Sequence, residues 1–353
     1  MSSIPTLAGI NSRIISTPRL NMHALFSGTE GETAVLFIHG NCSSATFWEE
    51  TMLALPDGFR GVACDLRGYG DTDPLPIDAT VGLNDMAEDV LALADTLNLS
   101  QFHVVGHSMG GNVVMKLALL APSRLLSITL VATGSPYGYS GSKGEDGTPI
   151  YADGAPAGGG AGNPDFVRLI AENERGDENQ MAPRNVMRAF YFKPPFIPAR
   201  EEALLSSLLS TKTGEDHYPG NFVAADNWPT VAPGNKGILN ALARKYYDAS
   251  GIINIDPKPP VLWIRGSDDL IVSDNAMFDI AALGAMGAVP GYPGIDVCPP
   301  QPMIAQTRAI LKQYEANGGH FEEVVVTDAG HTPYVEKPDV FNSAFHAHLQ
   351  ASK

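Results

Sequence analysis

Residues 104–116 read Val-Val-Gly-His-Ser-Met-Gly-Gly-Asn-Val-Val-Met-Lys, and this stretch decides the fold. An apolar strand pattern leads into Gly106-x-Ser108-x-Gly110, and an apolar helical pattern over residues 112–120 follows. A serine on so sharp a strand-to-helix turn leaves no room for side chains two positions to either side, which explains the two glycines. The turn lifts the hydroxyl to a helix N-terminus, where free N–H groups favour an oxyanion. We therefore predict that Ser108 is a nucleophile.

The composition of the chain excludes several classes of partner. Lys and Arg total 23 against 39 Asp and Glu, which gives the 353-residue chain a formal net charge of −16. So acidic a chain repels nucleic acids and anionic membrane surfaces. Its first residues lack the basic and apolar regions of a signal peptide, and no stretch reaches the roughly 18 apolar residues of a membrane span. We predict a soluble, cytoplasmic protein with a small-molecule substrate and neither nucleic-acid nor membrane partners, and we leave a homodimer open.

The three cysteines, Cys42, Cys64 and Cys298, are widely separated in the sequence. Such scattered thiols predict neither a disulfide framework nor a zinc site, so reduced thiols are expected. We predict that the protein needs no metal and no organic cofactor.

Strand and helix patterns alternate near both ends of the chain. The sequence around Thr17-Pro18 predicts a β-hairpin over residues 13–15 and 20–26, at an antiparallel edge of the sheet. Apolar runs predict buried strands over residues 34–38, 61–66, 102–105, 126–131, 259–265 and 321–326. Helical patterns cover residues 47–55, 86–97, 112–120, 273–286, 303–314 and 340–349. This alternation predicts an α/β fold with a mostly parallel, doubly wound sheet.

The character of the sequence changes after Gly134. Gly, Pro, Ser and Asp crowd the stretch up to Pro164, and aromatic residues are frequent beyond it. Short helical patterns follow over residues 166–173, 183–192, 201–210 and 237–249. We predict a core formed by residues 1–134 and 257–353, with residues 135–256 inserted as a mainly helical cap over the serine. A second irregular, proline-rich stretch over residues 287–302 either closes the side of the pocket or forms a subunit contact, and the sequence does not distinguish these alternatives.

Three chemically suited side chains follow predicted strands, in the order Ser108, Asp269, His331. A serine hydroxyl is a poor nucleophile near neutral pH and needs a base beside it. A histidine base in turn needs a carboxylate that fixes its tautomer and stabilises the imidazolium. Because the carboxyl ends of parallel strands meet at one edge of a sheet, we expect these three residues to lie together. Asp268, the neighbour of Asp269, is the alternative acid.

Taken together, these motifs resemble the α/β-hydrolase superfamily, with an α/β-hydrolase fold. The resemblance covers about residues 12–134 and 257–350 and is carried by His39-Gly40-Asn41, Asp65-x-Arg67-Gly68-x-Gly70, Gly106-His107-Ser108-Met109-Gly110-Gly111, Gly266-Ser267-Asp268-Asp269 and Gly330-His331-Thr332-Pro333. It implies Ser108 as nucleophile, His331 as base and Asp269 as the orienting acid. It also implies an oxyanion hole made by the backbone N–H groups of Asn41 and Met109.

Other residues of these motifs are predicted to support the backbone. We expect Asp65, Arg67 and Thr72 to brace the turn after their strand, and His39 and His107 to hold the backbone by hydrogen bonds. The side chains of Asn41 and Met109 are expected to matter mainly for the shape of the pocket.

Departures from the family patterns narrow the predicted chemistry. A serine nucleophile argues against the epoxide hydrolases and haloalkane dehalogenases of the superfamily, which need a carboxylate at that position. The loop over residues 39–43 lacks the Gly-Gly-Gly pattern of lipases and the Gly-x-Gly-Pro pattern of carbon–carbon bond hydrolases. We predict a serine hydrolase that cleaves a carboxylic ester or lactone of a medium-sized hydrophobic molecule through an acyl-enzyme. The alternatives are a carbon–carbon bond hydrolase or an acyltransferase with the same triad, and a ligand-binding receptor on this fold.

Overall fold

The centre of the protein is a large β-sheet. A computed structural model describes residues 4–352 and gives the following strands within that range: β1 (Asn11–Ser16), β2 (Asn21–Phe26), β3 (Thr33–Ile38), β4 (Phe59–Cys64), β5 (Phe102–His107), β6 (Leu125–Val131), β7 (Ser142–Lys143), β8 (Thr148–Pro149), β9 (Phe222–Ala224), β10 (Val231–Pro233), β11 (Val261–Gly266) and β12 (Phe321–Val326). The main sheet has eight strands in the order β1-β2-β4-β3-β5-β6-β11-β12. From β4 to β12 the neighbours in this order are parallel, whereas β1 and β2 are antiparallel. The predicted fold class and the hairpin at one edge are confirmed.

Helices connect these strands. They are α1 (Glu49–Leu53), α2 (Asn84–Thr96), α3 (Met109–Leu120), α4 (Pro164–Ala171), α5 (Pro183–Val186), α6 (Glu201–Leu209), α7 (Ile238–Ala241), α8 (Ile280–Ala285), α9 (Met303–Ala316), α10 (Pro333–Glu336) and α11 (Pro338–Ala351). Short 3-10 helices cover Ala45–Trp48, Ala79–Val81, Pro122–Arg124, Ala155–Ala157 and Ser250–Asn254, and a π-helical turn covers Met187–Tyr191. None of the helices within residues 4–352 has the length and hydropathy that crossing a bilayer requires.

The middle of the sheet is buried on both faces. Every residue of β5 is buried, and in β3 all but Thr33 are buried. Continuous apolar strands of this kind are typical of a parallel sheet that is covered on both sides. The sheet therefore provides a rigid base for the loops that follow β3, β5, β11 and β12.

The segment between β6 and β11 contains residues 135–256, which we call the insert. It consists of α4 to α7, joined by irregular loops and by two short antiparallel ribbons, β7–β8 and β9–β10. The sequence did not predict the ribbons. The division into core and cap domains stays a prediction.

The prediction of a helix over residues 237–249 is wrong beyond the first turn, because α7 ends at Ala241. The backbone N–H of Tyr139 donates to the carbonyl of Leu242 at 2.8 Å, and that of Ala249 donates to the carbonyl of Pro136 at 2.8 Å. Hydrogen bonds to the loop after β6 thus replace the helical ladder, which a local pattern does not reveal.

The helix predicted over residues 273–286 is also too long, since α8 begins at Ile280. Its N-cap is Asp279, a fully buried carboxylate that accepts from the N–H of Ala281 at 3.2 Å and of Gln301 at 2.7 Å. The hydroxyl of Ser273, the first residue of the predicted helix, accepts only from the N–H of Asn275 at 3.3 Å among the described residues. The buried cap at Asp279 sets the start of the helix.

The proline-rich stretch over residues 287–302 packs against the insert. The indole N–H of Trp228 donates to the carbonyl of Pro290 at 2.9 Å, and the rings of Trp228 and Tyr292 lie 5.2 Å apart. The Tyr292 hydroxyl donates to the carbonyl of Cys298 at 2.7 Å. This arrangement anchors the stretch against the insert. A role in a subunit contact stays a prediction.

Candidate active site

Ser108 lies on the turn between β5 and α3, with a backbone φ of 55° and ψ of −123°. A positive φ is strained for a residue with a side chain, and such strained residues cluster at functional sites. A Cβ on Gly106 would lie 2.3 Å from the carbonyl oxygen of Gly110, and a Cβ on Gly110 would lie 2.4 Å from that of Ile38. Both distances are too short for any side chain, so the turn depends on these two glycines, as predicted.

Asp269 and His331 follow β11 and β12 and form a buried pair. His331 Nδ1 lies 2.8 Å from Asp269 Oδ2, and each side chain is 3% exposed. The other carboxylate oxygen accepts from the N–H groups of Ile271 at 2.8 Å and Val272 at 3.0 Å. Because a carboxylate oxygen only accepts, His331 carries its proton on Nδ1 and presents Nε2 as a base.

The alternative acid, Asp268, lies outside this pair. Its carboxylate forms an ion pair with Lys193 at 3.0 Å and accepts from the Ser267 hydroxyl at 2.6 Å, and its side chain is 39% exposed. Of the two adjacent aspartates, the structure places Asp269 beside His331.

Ser108 and His331 line one cavity of about 440 Å³, together with Asn41 and Met109. Among residues 4–352 no hydrogen bond joins the Ser108 hydroxyl to His331. The structure therefore brings Asp269 and His331 into direct contact and places Ser108 with His331 around a shared space. Contacts between a nucleophile and its base commonly tighten only when substrate is bound.

The loop that follows β3 lies directly against the serine turn. A Cβ on Gly40 would be 3.0 Å from Ser108 Cβ. Asn41 is next in the chain, and its Oδ1 accepts from the Tyr69 hydroxyl at 2.7 Å. Met109 begins α3, so its N–H has no acceptor within the helix. The two predicted oxyanion donors thus border the same cavity.

The cavity is lined mainly by apolar side chains. The insert contributes several of them, including Phe166, Met181, Phe190 and Leu242, and α8 contributes Ile280 and Leu283. At its edge the rings of Phe190 and Phe278 lie 4.8 Å apart, and Phe278 is 40% exposed. These residues form an apolar entrance to the cavity that Ser108 borders.

The known proteins that this chain resembles agree with this architecture. Residues 33–147 match a family model described as the alpha/beta hydrolase fold. The chain has the α/β-hydrolase fold.

Two curated relatives match part of this chain. The dihydrolipoyllysine-residue acetyltransferase component of the acetoin cleaving system of Cupriavidus necator is 41% identical over 109 residues, or 31% of this chain and 28% of the relative. Epoxide hydrolase 2 of Siraitia grosvenorii is 34% identical over 120 residues, or 34% of this chain and 37% of the relative. The chain therefore spans about a third of the length of the curated relatives it matches.

Solved structures extend the similarity to the whole α/β-hydrolase fold. A thermophilic esterase from Thermogutta terrifontis superimposes with a TM-score of 0.60 and 19% sequence identity. The match covers 97% of this chain and 99% of that one. At this level of identity the comparison shows the shared fold.

Two histidines hold the backbone of loops at the candidate site by hydrogen bonds, as predicted. His107 Nε2 donates to the carbonyl of His331 at 2.9 Å, and burial holds the pKa of His107 well below its ordinary value, so that the ring is neutral. His39 Nδ1 donates to the carbonyl of Gly40 at 2.7 Å, and its Nε2 accepts from the N–H of Leu66 at 3.0 Å. Burial lowers the pKa of His39 as well.

The residues predicted to brace the turn after β4 do so. The Thr72 hydroxyl donates to the carbonyl of Asp65 at 2.7 Å. The Arg67 guanidinium donates to the carboxylate of Asp89 at 2.6 and 2.8 Å and to that of Asp85 at 3.1 Å. Arg67 is 5% exposed. These contacts brace the turn, and none of the three residues lines the cavity.

Sequence reasoning missed the residues that connect the insert to the histidine loop. Glu336, which is 7% exposed, accepts from the N–H of Gly330 at 2.9 Å and from that of Lys193 in the insert at 2.7 Å. The carbonyl of Tyr191 accepts from the N–H of Thr332 at 3.0 Å and from its hydroxyl at 2.7 Å. No local pattern marks such contacts, since their partners lie more than 100 residues apart or in an irregular loop.

Cys42 also lines the cavity, and sequence reasoning assigned it no role in the site. Burial raises the pKa of its thiol to about 12. Since the thiolate is the nucleophilic form of cysteine, this thiol is inert near neutral pH. Ser108 is therefore the better candidate nucleophile in this cavity.

Proposed function

We propose that the protein is a serine hydrolase that cleaves a carboxylic ester or lactone of a medium-sized, largely apolar molecule through an acyl-enzyme. One observation carries the proposal. Ser108, on a strained turn at the start of α3, borders the same apolar cavity as His331, whose Nδ1 is hydrogen-bonded to Asp269 at 2.8 Å. An oriented histidine base beside a serine at a helix N-terminus is the arrangement that acyl transfer requires.

In the first half of the reaction, His331 Nε2 takes the hydroxyl proton as Ser108 Oγ attacks the carbonyl carbon. The N–H groups of Asn41 and Met109 donate to the oxyanion of the tetrahedral intermediate, and Asp269 stabilises the imidazolium. The imidazolium then protonates the leaving alkoxide, the carbon–oxygen bond breaks, and the acyl group remains on Ser108.

In the second half, water enters the position that the alcohol has left. His331 Nε2 removes a proton from the water, whose oxygen attacks the acyl carbon. The same two N–H groups stabilise the second oxyanion. Proton transfer from His331 back to Ser108 Oγ releases the carboxylic acid and restores the starting state.

We further propose that residues 135–256 act as a cap that shapes the substrate site. In support, the insert contributes Phe166, Met181, Phe190 and Leu242 to the cavity. An apolar enclosure excludes bulk water and strengthens the electrostatic contacts to the oxyanion. The similarity to a relative named an epoxide hydrolase supports hydrolytic chemistry, while the serine nucleophile directs the proposal towards esters.

A fluorophosphonate probe tests this function, because it labels only an activated serine. We expect labelling of the wild type and of Ser123→Ala, which removes an exposed serine on the Pro122–Arg124 turn. Ser108→Ala should not be labelled and should not hydrolyse a panel of aryl esters and lactones that the wild type cleaves. A wild type that is not labelled, or a Ser108→Ala protein that retains turnover, contradicts the proposal.

A further inference from the structure

Besides His331, two buried polar side chains that line the apolar cavity have an atom without a hydrogen-bond partner among residues 4–352. The first is Tyr218, which is 8% exposed and lies edge-on to Phe166 with ring centroids 6.2 Å apart. No hydrogen bond reaches its hydroxyl from any residue between 4 and 352. Burial raises its pKa well above the ordinary value, so the hydroxyl is neutral and able to donate or accept. Gly162 lies next to the Tyr218 hydroxyl, since a Cβ on this glycine would be 3.5 Å from the hydroxyl oxygen.

The second is Asn112, which is 1% exposed and lines the same cavity. Its Nδ2 donates to the carbonyl of Ser135 at 2.9 Å. Since a carbonyl oxygen only accepts, this bond fixes the orientation of the carboxamide and directs Oδ1 away from Ser135. Within the described part of the chain no donor reaches Oδ1. Gly134 lies beside this oxygen and has no side chain to cover it. A Cβ at that position would lie only 2.6 Å from the oxygen.

Tyr218 and Asn112 are themselves nearly fully buried, and both line the cavity. Most buried side-chain donors and acceptors are paired, and each exception calls for an explanation. Binding cavities characteristically combine apolar walls with a few polar groups that orient the ligand. Two such groups in the cavity that holds Ser108 indicate that the ligand supplies their missing partners.

The positions of the two groups relate them to the reacting carbon. Ser108 is the N-cap of α3 and Asn112 is the fourth residue of that helix, so both lie at the helix end that borders the cavity. A substrate atom that bonds to Asn112 Oδ1 must be a donor, because a carboxamide oxygen only accepts. Tyr218 belongs to the insert and imposes no such restriction, since a phenol both donates and accepts.

We propose that the preferred substrate is an apolar ester or lactone whose acyl part carries a hydroxyl or amine N–H about one helical turn from the scissile carbonyl. That donor binds Asn112 Oδ1, and a further oxygen or nitrogen of the substrate binds the Tyr218 hydroxyl. This inference rests on the proposed serine hydrolase activity. It assigns Asn112 and Tyr218 as specificity residues and disfavours esters of unsubstituted fatty acids.

Matched p-nitrophenyl esters test the specificity. The series consists of the phenylacetate, its 3-hydroxy and 4-hydroxy derivatives, and the corresponding methoxy derivatives, which accept hydrogen bonds but do not donate them. We expect the better hydroxy ester to exceed both the parent and its methoxy analogue in kcat/KM by about tenfold or more. Asn112→Leu should abolish this preference for a donor.

Tyr218→Phe is the sharpest variant, because it removes an oxygen that bonds to nothing in the described chain. The 3,4-dihydroxy ester carries a second hydroxyl that can bind Tyr218, so the variant should lower the kcat/KM ratio of this ester to the better monohydroxy ester by at least about fivefold without lowering the thermal unfolding temperature. Tyr246→Phe is the matched control, since Tyr246 lies outside the cavity and its hydroxyl also has no partner among residues 4–352. It should keep the wild-type ratio.

The outcomes separate this inference from the activity on which it rests. A wild type that reacts with the fluorophosphonate but hydrolyses the parent ester as fast as every hydroxy ester overturns the inference and leaves the activity standing. A preference for the hydroxy ester that survives Asn112→Leu overturns the assignment of Asn112, and an unchanged ratio of dihydroxy to monohydroxy ester in Tyr218→Phe overturns that of Tyr218. If the wild type neither reacts with the probe nor hydrolyses any ester, both proposals fail together.

Discussion

The hydroxyl of Tyr191 lies 3.2 Å from the carbonyl oxygen of Asn41 and also donates to the carbonyl of Cys42 at 3.0 Å. Tyr191 belongs to the insert, whereas Asn41 lies in the loop after β3 that we assign to the oxyanion hole. The backbone carbonyl of the same tyrosine accepts from Thr332, next to His331. One residue of the insert therefore holds both the loop of the proposed oxyanion donor and the loop of the proposed base.

This relationship predicts that Tyr191 positions the oxyanion donor. Tyr191→Phe removes the hydroxyl but keeps the ring and the backbone contact to Thr332. We expect kcat for a p-nitrophenyl ester to fall about tenfold with little change in KM, because the Asn41 N–H matters most in the transition state. Steady-state kinetics of wild type, Tyr191→Phe and the control Tyr246→Phe measure this split. A rise in KM at unchanged kcat would indicate a role in substrate binding instead.

Asp269 and Asp268 offer a matched pair of substitutions. Asp269→Asn replaces the carboxylate beside His331 Nδ1 by a group that can donate to it, which favours the wrong tautomer. We expect kcat to fall about 100-fold or more. Asp268→Asn removes a charge that pairs with Lys193 and should change kcat by less than about twofold, because exposed ion pairs contribute little. Equal losses in the two variants would refute the assignment of the acid.

The features that sequence predicted correctly are those that local sterics and burial determine. The turn at Ser108 requires glycine at 106 and 110, and this requirement is visible within five residues. Buried parallel strands such as β5 appear as continuous apolar runs. The chain order of Ser108, Asp269 and His331 then follows from where strands end, so the approach of Asp269 to His331 was predictable.

The features that sequence missed depend on contacts between distant segments. Residues 242–249 have a helical pattern, yet the Leu242 carbonyl accepts from Tyr139 and the chain leaves the helix. Glu336 reaches Lys193, 143 residues earlier. The side chain of Asn41 was expected to matter mainly for the shape of the pocket, and its hydrogen bond from the Tyr69 hydroxyl was not predicted. Such hydrogen bonds leave no periodic signal in the sequence.

Gln306 of α9 is the centre of a buried polar network that supports the cavity wall. It is fully buried, and its Oε1 accepts from the Ser135 hydroxyl at 2.6 Å and from Gln301 at 2.7 Å. Its Nε2 donates to the Ser142 hydroxyl at 3.1 Å and to the carbonyl of Gly144 at 2.9 Å. These bonds attach α9 to the loop after β6, which borders the cavity.

Gln306→Leu should therefore destabilise the protein, because it leaves several buried partners without a hydrogen bond. We expect the free energy of unfolding to fall by about 3 kcal/mol. Gln313→Leu, at an exposed position of the same helix, should change it by less than about 0.5 kcal/mol. Denaturant titration measures both. Similar small effects in the two variants would show that the network contributes no stability.

His348 of α11 predicts how stability responds to acid. Burial lowers its pKa from 6.5 to about 4, and Nε2 donates to the carbonyl of Ile128 at 3.2 Å. In the unfolded chain His348 binds a proton near pH 6.5, whereas in the folded chain it does not. The contribution of His348 to the free energy of unfolding is therefore present above that pH and is lost as the pH falls towards 4.

His348→Gln keeps a hydrogen-bond donor and does not titrate. Between pH 7 and pH 5, the wild type should lose about 2 kcal/mol more unfolding free energy than the variant. Denaturant titrations at the two pH values measure this difference, and parallel losses in both proteins would mean that His348 is protonated in the folded state.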